Sequence, residues 1–96
     1  MDEVTRKEIL SMSRTAHTLT EASYQQNLSK FGDSGWSEKQ RVLLADMALH
    51  LLQTALKDGD FSEEDLKRNL FSILTISDQF IQDVDLKTFA QELYSS

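Results

Sequence analysis

The chain has 96 residues, of which 40% are hydrophobic, and a net charge of −6. That is enough for one domain with its own core, and too apolar for a disordered segment. It has no cysteine and no proline. The lack of cysteine excludes a disulfide framework, a thiolate zinc site and a cysteine nucleophile.

The three glycines, Gly32, Gly35 and Gly59, fall in only two places. They leave long unpunctuated segments whose periodicity predicts four helices. Helix 1 is expected to open at Thr5-Arg-Lys-Glu8. This has the form of a capping box, in which the hydroxyl accepts a free first-turn N–H and the glutamate reaches back to another. Ile9, Met12, Ala16 and Leu19 follow at helical spacing. The stripe then shifts to Tyr24, Leu28 and Phe31, a rotation of roughly a quarter-turn at about 100° per residue. Such a shift implies either a bend near residues 20–23 or two halves with different neighbours, and Gly32 is the expected stop.

Helix 2 is expected to span about 38–57, from a second capping box at Ser37-Glu-Lys-Gln40 to a left-handed stop at Gly59. Its apolar residues, among them Leu44, Met47, Leu51 and Leu52, cover an arc of about 200°, against the ~100° of an ordinary surface helix. Such a helix belongs at the centre. Its one polar stripe, Asp46, His50, Gln53 and Lys57, is expected to look away from the core. Helix 3 starts at Ser62 as N-cap, with Glu63, Glu64 and Asp65 complementing the positive helix end. Leu66, Leu70, Ile73, Leu74 and Phe80 make its stripe. Helix 4 is short, from Asp85 as N-cap to about Tyr94, with Leu86, Phe89, Ala90 and Leu93 inward. The expected fold class is therefore all-α: a small four-helix bundle-like arrangement, residues 1–96 in a single helical domain, with helix 2 (about 38–57) central.

The charge is uneven. Residues 1–57 carry seven acids and seven bases, whereas residues 58–96 carry nine acids and three bases. That surface disfavours direct nucleic-acid contact and anionic membranes, and attracts a basic protein partner. No run approaches the ~18–20 apolar residues of a membrane span. The charged start MDEVTRKEILSMSRT lacks the apolar stretch of a signal peptide, so a cytoplasmic location is expected.

Two constellations bear on chemistry. Lys57–Asp65 resembles the second half of a calcium-binding EF-hand loop. With Gly59 at loop position 6, however, positions 1 and 3 fall on Thr54 and Leu56, and leucine offers no oxygen there. A helix stop followed by a capped helix start explains the same residues. The pairs His17/Glu21 and Asp46/His50 each share a helix face at i, i+4. Were those faces to meet, two imidazoles and two carboxylates could hold zinc or another divalent ion. The expected outward direction of the helix 2 stripe argues against it. There is no Gly-x-Ser-x-Gly elbow and no glycine-rich phosphate loop. A DNA-reading helix 3 would place Glu63, Glu64 and Asp65 against phosphate.

The leading expectation is a small acidic protein–protein interaction or regulatory module, without enzymatic activity or cofactor, that self-associates as a homodimer through an apolar helical seam. Tyr24, Leu28 and Phe31 of helix 1, with Leu43, Leu49 and Leu56 at the edges of the helix 2 arc, are the candidate partner-binding residues. One other reading is an acidic inhibitor mimicking nucleic acid, with Asp58, Asp60, Glu63, Glu64, Asp65, Asp78, Asp83 and Asp85 standing in for phosphates. Another is a metal-binding helical bundle using His17, Glu21, Asp46 and His50.

Overall fold

A computed structural model describes residues 1–94. They form α1 (Glu3–Gln26), α2 (Trp36–Leu56), α3 (Glu63–Ser77) and the short α4 (Leu86–Gln91), which runs into a 3-10 turn at Glu92–Tyr94. The all-helical expectation holds, with no strand among the described residues.

The first helix starts earlier and stops sooner than its sequence pattern suggests. Its N-cap is Asp2, whose carboxylate accepts from Thr5 N at 2.8 Å, so Thr5 lies inside the helix rather than capping it. A carboxylate at this position is both an acceptor and a charge matched to the helix dipole. α1 then runs as one helix through residues 20–23 and ends at Gln26. Asn27 is the C-cap. Its Oδ1 accepts from Ser29 N at 3.0 Å and its Nδ2 donates to the Gly35 carbonyl at 3.1 Å. The amide side chain thus diverts the backbone before Gly32, which adopts φ +95° inside the loop instead of ending the helix.

α2 opens at Trp36 with Gly35 as an N-cap that makes no side-chain bond, so the expected Ser37 box does not form. Its distal member, Gln40, is buried and accepts from Gln79 Nε2, just past the end of α3, at 3.0 Å. The far end follows expectation: Lys57 is the C-cap, and Gly59 takes φ +93°. Ser62 caps α3 by accepting from Asp65 N at 3.1 Å. That helix stops at Ser77, which leaves Phe80 beyond it. Asp85 caps α4 by accepting from Thr88 N at 3.0 Å. Asp78 ties the end of α3 to this start, its Oδ1 accepting from Leu86 N at 2.9 Å and Lys87 N at 3.3 Å. Ala90 is fully buried, whereas Phe89, expected inward, is exposed.

α2 is central. α1 and α3 both pack on it without approaching one another, and α4 packs on α3. The arrangement is bundle-like but open, with extents of 45 × 37 × 18 Å. This explains the breadth of the α2 apolar arc, since one helix must serve two neighbours. It also explains a thin core: Leu10, Ile76 and Ala90 are the buried apolar residues, while Leu44, Leu51 and Leu52 of α2 are only half-buried. The seams hold polar groups instead. Ser13, Gln40, Asp46 and Thr54 are all buried, and Thr54 Oγ1 donates to Asn69 Oδ1 at 2.5 Å across the α2–α3 seam.

Candidate functional site

The α1–α2 seam corrects the outward placing of the helix 2 polar stripe. Leu10 and Ser13 are buried, and with His17 and Thr20 they form a row at 3–4–3 spacing that points α1 toward α2. The stripe faces that row. His17 Nδ1 donates to Asp46 Oδ1 at 2.5 Å, and Thr20 Oγ1 donates to the same oxygen at 2.6 Å. His50 Nε2 lies 3.4 Å from Asp46 Oδ2, and His17 Nε2 lies 3.3 Å from Glu21 Oε2. The two imidazoles meet edge to face, with centroids 4.7 Å apart. Asp46 is the closed end of this cluster, its side chain 10% exposed, while His17, His50 and Glu21 grow progressively wetter. The two i, i+4 pairs therefore do meet, and they do so at an interface.

A groove runs along each side of the seam. One contains His50, with Leu10, Arg14, Gln53, Thr54 and Lys57 around it. Gln53 Nε2 is buried there without a hydrogen-bond partner. The other is apolar: Ile9, Met12 and Ala16 of α1 face Leu49 and Leu52 of α2. Farther along the seam a second hollow is lined by Leu19, Val42 and Ala45 together with Thr20, Ser23, Glu38 and Arg41. Met12 is 64% and Leu19 65% exposed. The stripe Ile9, Met12, Ala16, Leu19 therefore flanks the seam and lies open, while the row Leu10, Ser13, His17, Thr20 fills it. The signal was present as two competing stripes on one helix, and the more apolar one invited assignment to the core.

The six residues expected to bind a partner are scattered. Tyr24 is half-buried, with Lys39 Nζ 4.8 Å from its ring centroid. Leu28 and Phe31 are the most exposed large apolar residues described, at 84% and 86%. Phe31 meets Trp36 edge to face at 6.0 Å, beside a cleft that includes Phe80. Leu43, Leu49 and Leu56 are half-buried, and Leu49 alone of the six lines the open apolar groove.

The acidic residues of the second half are partly engaged within the fold. Lys57 Nζ donates to Asp65 at 2.7 Å and holds its carboxyl below the usual carboxylate range, helped by Arg68 at 3.6 Å. Asp78 and Asp85 serve as helix caps. Among the described residues no helix is long and apolar enough to cross a membrane. Comparison with known protein families, curated proteins and solved structures finds no match to this chain.

Proposed function

We propose that the chain is a small protein-binding or regulatory module of the cytoplasm, without chemistry of its own, which pairs with a second copy through the open α1–α2 groove. One observation carries this reading: Met12 and Leu19 lie about two-thirds exposed in line with Ile9, Ala16, Leu49 and Leu52. Isolated exposed leucines are ordinary, but a row of apolar side chains at helical spacing beside a two-helix seam marks a surface that another surface covers. Two such hairpins set face to face would complete a four-helix layer, the contact the open fold lacks within one chain.

The acidic second half then remains free to attract a basic partner and speed its encounter. A nucleic-acid mimic is a weaker reading, because Asp65, Asp78 and Asp85 are engaged within the fold. Light scattering during gel filtration tests the pairing. A dimer whose population falls on dilution is expected, and a strict monomer at several hundred micromolar would refute it.

A further inference from the structure

From the residues at the α1–α2 seam we infer that the chain holds a binding site for a divalent transition-metal ion, zinc foremost, built from His17, Asp46 and His50 with Glu21 beside it. One ligand atom from each of the first three lies within 4.8 Å of the others. Two imidazoles and a carboxylate are the donor set of borderline ions such as zinc, and a poor one for magnesium or calcium, which take oxygen.

Three further features favour an ion over a bare hydrogen-bonded network. The first is charge. The Asp46 side chain is 10% exposed, and the cations within ion-pair reach of it among the described residues are imidazoles, which are charged only when protonated. A divalent ion would supply that charge permanently. The second is orientation. Thr20 Oγ1 donates to Asp46 Oδ1 at 2.6 Å and leaves Oδ2 turned toward His50, the outer-shell arrangement that aims a ligating carboxylate. The third is access. His50 lines the groove beside the seam, its side chain 40% exposed, so an ion and its waters can reach the cluster without the helices separating.

The spacing sets what binding must change. Donors on a tetrahedral zinc ion with bonds near 2.0–2.1 Å stand about 3.3 Å apart. His50 Nε2 and Asp46 Oδ2, at 3.4 Å, already match. His17 Nδ1 and Asp46 Oδ1, at 2.5 Å, are too close for two ligands of one ion and are joined by a hydrogen bond instead. The ion would therefore replace that hydrogen bond and move the His17 ring by roughly an ångström, leaving a fourth position for water, while Glu21, 3.3 Å from His17 Nε2, would hold the ring from its other nitrogen. His17, Asp46 and His50 are not among the residues lining the two apolar hollows, so the site does not depend on self-association.

Isothermal titration of the untagged, chelator-stripped chain with zinc chloride tests this. One ion per chain is expected, together with movement of the imidazole NMR signals of both histidines, His17 and His50. His50→Gln and His17→Gln keep a polar side chain, and each should weaken binding at least tenfold with the helical circular dichroism unchanged. Cobalt(II) at the same site should give the visible bands of a tetrahedral ion, lost in both variants. Absence of saturable binding, or zinc affinity that survives both substitutions, would overturn the inference and leave a hydrogen-bonded seam.

Discussion

Removing the Asp46 carboxylate tests whether the polar seam holds α1 on α2. Asp46→Ala deletes an acceptor used by His17 at 2.5 Å and Thr20 at 2.6 Å, and a neighbour of His50 at 3.4 Å. Breaking a fully buried charged network from one side costs about 3–5 kcal/mol, because the remaining partners stay desolvated. Here His17 and His50 are 28% and 40% exposed, so water recovers part of the loss. A cost of about 2 kcal/mol follows, equivalent to a Tm roughly 8–16 °C lower for a domain of this size. The opposite manipulation separates the network from the shape it fills. Replacing His17, Asp46 and His50 together with leucine removes the carboxylate and both imidazoles, leaving Thr20 the backbone carbonyl of residue 17 at 3.0 Å as acceptor, and buried ionic clusters exchanged for packed apolar side chains are often neutral or stabilising. Urea unfolding followed by far-UV circular dichroism, with a chelator present to exclude metal, reads both. The reasoning fails if Asp46→Ala changes stability by less than about 0.5 kcal/mol, the range of an ordinary surface substitution. It also fails if the triple-leucine chain is less stable than the single variant.

Three other outcomes are expected. Placing aspartate at Met12 and Leu19 should abolish self-association with little change in helicity. Each side chain has about two-thirds of its burial still to gain, about 1–2 kcal/mol, and twofold symmetry counts it twice, so the dimer Kd should rise by about a thousandfold or more in sedimentation equilibrium. In acid, Asp2 and Asp85 matter, because backbone bonds from Thr5 and Thr88 hold their carboxyls below the ordinary value of 3.8, as the Lys57 hydrogen bond does for Asp65. Lowered carboxyls stabilise the fold above their unfolded value and lose that contribution as pH falls through the folded one, so their part of the urea midpoint should be level above about pH 5 and decline below it. Gly59→Ala should cost about 1–2 kcal/mol in the same unfolding assay, purely from the left-handed backbone, since φ is +93° and nothing lies within 4 Å of a Cβ there.

The features legible in the sequence were those decided within a few residues. Ser62 and Asp85 cap the helices they were expected to cap, and Gly59 turns left-handed, because a side chain three positions from a free N–H, or a missing Cβ, decides each matter locally. Local patterns also compete, and there the sequence misleads. Asp2 and Thr5 both offer caps, and the carboxylate captures the helix start. Gln40 fits a capping box but is drawn to Gln79, 39 residues away. The site was half legible. Periodicity placed His17 with Glu21 and Asp46 with His50, but it cannot say toward what a face turns. The bond from His17 to Asp46 spans 29 residues, and the preference for apolar interiors pointed the stripe the wrong way.

Among the described residues each helix meets only its sequential neighbours, and that shapes how the chain comes apart. In a closed bundle every element is held from several sides, so loosening one loosens all. Here cooperativity must pass along a line, through α2, and it weakens with each step. Amide hydrogens of α4 should exchange with solvent well before those of α2, with α1 and α3 able to open one at a time against an intact remainder. Such a fold grows by accretion: a helix added or lost at its outer edge disturbs one interface and leaves the others in place.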